Sequence, residues 1–287
     1  MSEANPLAKY FRKPVLYVDL PSNGKWYPDG VLKYDVGTEV AVYSMTAMDE
    51  ILLKSPDALL NGVAIVNLIK SCVPAISDPW QAPIIDIDKL LIAQRIASYG
   101  QKMDITVKCP KCNEANTYVA DLSTLLGSFK TIDYSAPLMI GDISVWIKPV
   151  SYKTMTSLKV LSFNNENLIR SFDKESLTTE QQAFYDKLRE SAINMSLMSM
   201  AASVERIKVG DLDVSDYDFI RDYLSNIDRD TFNTIKKFVE DNATVSQRID
   251  EFDIVCSTEA KDDVPACGHQ FKVPFSFDVS NFFVFGS

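Results

Sequence analysis

Met103-Asp-Ile-Thr-Val-Lys-Cys-Pro-Lys-Cys-Asn-Glu-Ala-Asn-Thr-Tyr-Val-Ala-Asp-Leu122 alternates apolar and polar residues, breaks at Cys109-Pro-Lys-Cys112-Asn113, and resumes from Asn116. A period of two on either side of a Cys-x-x-Cys predicts a hairpin whose tip is a knuckle, with both sulfurs facing one ion. Asn113 suits it, because asparagine tolerates the left-handed backbone such turns need.

A second place of the same kind lies near the other end of the chain. Arg248-Ile-Asp-Glu-Phe-Asp-Ile-Val255 reads as a strand running into Cys256, and Cys267-Gly268-His269 precedes the strand Gln270-Phe-Lys-Val273. Gly268 follows Cys267 as Asn113 follows Cys112. Two hairpins carrying Cys109, Cys112, Cys256 and Cys267 supply the four thiolates that a structural, tetrahedral Zn2+ site takes. Ten residues separate Cys256 from Cys267, where a knuckle usually has two to four. The intervening Ser257 to Ala266 is polar and acidic, as an insertion at a loop tip is, and a longer loop costs little additional closure entropy. His269 is the alternative ligand, in place of Cys256 or Cys267. Two blander readings stand beside zinc: a redox dithiol, which needs the pair at a helix start, and buried free thiols. Cys72, in an apolar helical stretch, reads as a small buried hydrophobe.

The wider composition narrows the classes. The chain has 287 residues, 46% hydrophobic and 24% charged, enough for a real core, and a formal net charge of −10. An acidic chain without a basic patch is a poor phosphate-backbone binder, so no nucleic-acid partner is expected. A single histidine, His269, excludes multi-imidazole metal sites and histidine acid–base pairs. No apolar run reaches the roughly 20 residues of a membrane span, and the first residues lack the pattern of a signal peptide. The expectation is a soluble intracellular chain with no membrane partner and no small-molecule substrate. In a reducing compartment five cysteines point to metal or redox chemistry before disulfides. Four thiolates leave no open position for water, so the expected zinc is structural and the chain is expected not to be an enzyme. Acid pairs such as Asp49-Glu50, Asp86/Asp88 and Asp262-Asp263 read as helix starts or solvated loops.

Residues 1–36 read as an N-terminal arm with a short strand, Pro14 to Pro21, and a turn at Ser22-Asn23-Gly24 before Trp26-Tyr27. Residues 37–130 form the first unit. A strand at Glu39 to Ser44 runs into a helix capped by Thr46 with Asp49 at capping-box spacing; a helix at Val63 to Cys72 follows, then another opened by Asp86 or Asp88 and ended at Gly100. Residues 131–287 form the second unit, with a strand at Val145 to Val150, a helix capped by Ser151, a long polar helical region over 163–190, an Ala- and Met-rich helix, a hairpin turning at Gly210-Asp211, and two more helices. The repeated order of strand, capped helix, further helix, strand and cysteine suggests a duplicated unit. The expected fold class is α+β: two strand–helix units with short antiparallel sheets, joined by a zinc-ribbon-like pair of Cys hairpins, so that residues 1–130 and 131–287 do not behave as independent domains. Two aromatic groups read as partner contacts, Trp26 with Tyr27 on the arm, and Phe282, Phe283 and Phe285 in a Phe-rich C-terminal tail; intramolecular docking is the alternative for the tail.

The order Leu20-Pro-Ser-Asn-Gly24…Tyr27, Met45-Thr-Ala-Met-Asp-Glu50…Ser55-Pro56, Arg95-Ile-Ala-Ser-Tyr-Gly100, Cys109-Pro-Lys-Cys112, and a terminal Cys267-Gly268…Phe with Phe282-Phe283 resembles the baseplate hub assembly proteins of T-even-type contractile-tailed bacteriophages. The likeness runs from about residue 16 to 285, with the long second knuckle and the extended 163–190 as departures. It implies a non-enzymatic assembly factor or component of the central baseplate hub, made in the host cytoplasm, with hub subunits and the tape-measure protein as partners; it leaves open whether the chain stays in the virion tail. The alternative of another class is a zinc-ribbon adaptor in phage transcription or replication, which a steep salt dependence of nucleic-acid binding would favour.

Overall fold

A computed structural model of the chain describes residues 7, 10–33, 39–170, 179–246, 252–258 and 266–273. The first core forms around two helices. Apolar residues fill α3 (Val63–Cys72), and in α4 (Ile84–Tyr99) they lie on every side, so α4 is enclosed rather than laid on a surface. The pair β1 (Pro14–Val18) and β2 (Val40–Tyr43) covers α4 as a two-stranded antiparallel ribbon. Around it sit α1 (Ala47–Leu53), α2 (Pro56–Leu60) and, later in the chain, α5 (Leu122–Ser128). Thr46 and Asp49 form the expected capping box at the start of α1.

The segment expected as an arm takes part in this core: Val18, Leu20 and Val31 are buried among α3 and α4 residues. It is held by Asp86, whose carboxylate accepts from the Ser22 N–H at 2.9 Å, from the Ser22 hydroxyl, and from the Tyr27 hydroxyl at 2.9 Å. Here the structure corrects the sequence reading. Helix α4 begins at Ile84, because the Pro83 carbonyl already accepts the N–H groups of Asp86 and Ile87. Asp86 therefore sits in the first turn, as a helix-start residue would, but it is fully buried and serves as an anchor rather than a solvated charge.

From α4 the chain enters the hairpin β3 (Lys102–Lys108) and β4 (Ala115–Asp121), which keep an unbroken register from Lys102↔Asp121 to Lys108↔Ala115. The second core lies under a four-stranded antiparallel sheet in the order β5 (Leu138–Ile140), β6 (Ile143–Ile147), β7 (Val204–Val209), β8 (Leu212–Val214). Between β6 and β7 run α6 (Tyr152–Arg170) and α7 (Thr179–Ser203), joined across their seam by a bond from Asn165 Nδ2 to Ser191 Oγ at 3.0 Å. Helices α8 (Tyr217–Asn226) and α9 (Arg229–Ser246) close the sheet's apolar face, with Ile220, Leu224 and Ile235 buried against Val145, Val204 and Ile207. Gly210 takes φ +58 at the β7–β8 turn, as the hairpin reading requires. The last described elements are β9 (Phe252–Val255) and β10 (Gln270–Val273), an antiparallel pair. The fold class is α+β with short antiparallel sheets. The two cores meet along α4 and α6, where Ile84 N–H donates to Val150 O and Tyr152 N–H to Ala82 O.

Candidate metal centre

Strand β3 ends where Cys109 begins the knuckle. Its N–H donates to Glu114 O, and Asn113 N–H donates back to Cys109 O at 2.8 Å, closing the turn over Cys112. Asn113 adopts φ +61, the conformation for which asparagine is suited. The second knuckle is built alike on β9 and β10. Cys256 N–H donates to His269 O at 2.9 Å, Cys267 N–H donates to Thr258 O at 3.1 Å, and Gly268 takes φ +51 where Asn113 stands in the first. Thr258 and Ala266 flank the insertion, whose residues 259–265 lie outside the described ones.

These two hairpins bring four sulfurs within 4.8 Å of one another, those of Cys109, Cys112, Cys256 and Cys267, a group that can hold one metal ion. Cys109 Sγ is 3.8 Å from Cys267 Sγ, and Cys112 Sγ is 3.6 Å from Cys256 Sγ. Both separations cross between the hairpins. They are far longer than the roughly 2.05 Å of a disulfide. They are close to the edge of about 3.8 Å that four sulfurs at about 2.3 Å from a central zinc would have. His269 is outside the group. Its ring stacks on Phe271 at 5.9 Å, and its main chain serves the knuckle. Cys72 is buried, as expected, yet its surroundings are polar: Arg12 and Gln94 donate to its sulfur at 3.5 and 3.7 Å. Burial first, then the nearby Asp49 charge, raises its pKa.

Cys112, Cys256 and Cys267 are shifted in acidity, and a hydrogen bond from a neighbouring group is the largest influence on each. The Thr258 hydroxyl, 3.1 Å away, leads in lowering Cys256 to about 6. The backbone N–H of Glu114 leads in lowering Cys112. At Cys267 the largest single influence is the His269 N–H, which lowers, but burial together with Cys112, Cys256 and Cys109 pushes the thiol up to about 11. Several thiolates cannot share so small a space without a cation, and a divalent ion removes that conflict.

One residue at this site escapes the sequence reading. Asn116, on β4 and 4% exposed, accepts through Oδ1 from the Ser257 N–H and hydroxyl at 2.9 and 2.8 Å, and its amide donates to Glu114 O. It ties one knuckle to the other. Tyr118 repeats the link, donating from its hydroxyl to Val255 O at 3.1 Å. The only signal for Asn116 in the sequence is a polar residue at an inward position of an alternating strand.

Of the residues expected to touch partners, Trp26 and Tyr27 are half-buried. Tyr27 is committed through its hydroxyl to Asp86, and Trp26 lies 5.6 Å from the ring of Tyr134. Phe282, Phe283 and Phe285 lie outside the described residues. Among the described residues no helix is long and apolar enough to cross a membrane. No curated protein and no solved structure matches the chain. One family description does: that of the T4 bacteriophage base plate protein matches residues 17–284, a span taking in both cores and all four clustered cysteines, and the chain therefore belongs to that family of phage baseplate proteins.

Proposed function

We propose that this baseplate protein acts in the central baseplate hub, as an assembly factor or as a hub component, and that a structural Zn2+ held by Cys109, Cys112, Cys256 and Cys267 clamps its two halves. What carries the reading is the meeting of four sulfurs from two distant hairpins in a chain of a baseplate family. The metal's part is mechanical. Four thiolate ligands leave no place for a reacting water, so the chain is proposed as non-enzymatic. Binding free energy at such a site is folding free energy, which suits a protein that meets its partners in a reducing host cytoplasm. Hub subunits and the tape-measure protein are the proposed partners, met through the arm around Trp26 and Tyr27 and the tail bearing Phe282, Phe283 and Phe285.

Elemental mass analysis of the purified chain and of Cys256→Ser tests the metal. About one zinc per chain, lost in the variant, is the expected result; zinc kept by the variant would move the fourth ligand to His269, and no zinc would overturn the clamp. Co-expression with hub subunits tests the role. Recovery of a complex that Cys109→Ser fails to form supports it, and failure of the native chain to associate with any hub subunit counts against it.

A further inference from the structure

The junction of the Trp26 segment, the start of α6, the end of α7 and the start of α8 encloses a cavity of about 620 Å³. Its apolar wall comes from Trp26, Pro28, Leu161, Met198 and Tyr217, and its polar rim from Lys148 and Lys153. A second cavity of about 600 Å³ lies beside it, and the two share Gln81 and, on α6, Lys153, Ser157 and Leu161. These three residues recur every fourth position, so they form one ridge along α6 with a hollow on each flank. A ridge between two grooves is the surface that another helix packs against.

Three features say what fits there. The chain carries a net charge of −10, yet no carboxylate lines the first cavity, and the one that lines the second, Asp78, accepts from the Trp80 N–H. Lys148 and Lys153 form no ion pair among the described residues, and the N-terminal end of α6 adds partial positive charge beside them. The rim is also preformed. Trp26 holds φ +63, a conformation costly for a large side chain, and is fixed by Tyr134 and by the neighbouring Tyr27–Asp86 bond. Finally, the walls from α6, α7 and α8 are helical and offer no free strand edge, so an incoming segment must satisfy its own backbone.

We propose that this groove docks an acidic amphipathic helix of a partner protein, with a large apolar side chain entering the cavity beside Trp26 and carboxylates meeting Lys148 and Lys153. A second copy of this chain is the poorer occupant, because a two-fold contact would set the lysines against themselves. The inference does not depend on the hub reading or on the metal.

The test uses the full-length, zinc-supplemented protein and a fluorescein-labelled synthetic helix with Phe, Leu and Leu on one face and Glu on both flanks. A counterpart carries Lys at every Glu. By fluorescence anisotropy the acidic helix binds and the basic one does not, and added salt weakens binding. Trp26→Ala and Lys148→Glu/Lys153→Glu each reduce affinity about tenfold or more, and the lysine double variant gains affinity for the basic helix. Lys153→Glu alone, on the exposed side of α6, keeps the test sharp if the double variant does not fold. Equal binding of both helices, or affinity unchanged in these variants, overturns the proposal. So does an acidic helix that binds only when residues 274–287 are removed, which makes the chain's own tail the occupant. Self-association of the full chain that Lys153→Glu abolishes overturns it as well, in favour of a second copy.

Discussion

Asn116 Oδ1 holds Ser257 by two hydrogen bonds, to its N–H at 2.9 Å and its hydroxyl at 2.8 Å, across a separation of 141 residues in the chain. This contact joins β4 to the residue that follows Cys256, so protein groups by themselves orient the two knuckles toward each other. Groups that orient the ligands of a metal site tune its affinity without touching the ion.

Asn116→Ala is therefore expected to weaken zinc retention by about 10- to 100-fold against a competing chelator. It should also cost about 1–2 kcal/mol of stability, since it removes two part-buried hydrogen bonds to Ser257 from a buried position. Chelator titration followed by colour change and urea denaturation of the same sample check both effects. Unchanged affinity would mean that the knuckles orient without the amide.

Zinc should raise the melting temperature of the native chain and not that of Cys109→Ser. At a free concentration about 100 times the dissociation constant, mass action contributes about 2.7 kcal/mol. Differential scanning calorimetry with and without a chelator reads this directly. A shift of equal size in both proteins would place the binding elsewhere.

Asp86 gives a pH dependence of definite sign. Burial, opposed by its bonds from Ser22 and Tyr27 and by Lys89, raises its pKa to about 6 from an ordinary 3.8. The folded chain thus holds this proton more tightly than the unfolded chain. The contribution is fully present below the ordinary value and is lost as pH rises through about 6, by up to roughly 3 kcal/mol at 1.36 kcal/mol per unit. Urea midpoints measured from pH 4 to 7 should fall more in the native chain than in Asp86→Asn. Parallel profiles would remove Asp86 as the source.

Gly62 caps the start of α3 with φ +78, and a Cβ there would stand 2.9 Å from Thr156 Cγ2 and 3.1 Å from the Trp80 ring. Both neighbours belong to the junction between the cores. Gly62→Ala combines left-handed strain with a clash, so a loss of about 2–3 kcal/mol is expected. Chemical denaturation measures it. A neutral outcome would show that Thr156 and Trp80 yield freely.

Local chemistry is written in the order of residues, and much of this protein was legible from it. Alternation on both sides of Cys109-Pro-Lys-Cys112 specified a hairpin, Thr46 with Asp49 specified a helix start, and Gly210 specified a turn, because each depends on neighbours within a few positions. The α+β class follows from the same periodicities. What the sequence could not show depends on partners far along the chain. Asp86 two positions past a plausible helix start looks solvated until Ser22 and Tyr27 fold over it. Asn116 looks like any strand polar residue until Ser257 arrives. The convergence of the cysteines within 4.8 Å lies between these cases. Their residue types and the matching turns suggested one group, but only the tertiary structure sets the Cys256 sulfur 3.6 Å from that of Cys112 while the His269 ring stacks on Phe271. The pairing of β9 with β10, continued by the Cys256 N–H bond to His269 O, sets those two residues opposite each other, and no local rule carries a pairing between such distant segments.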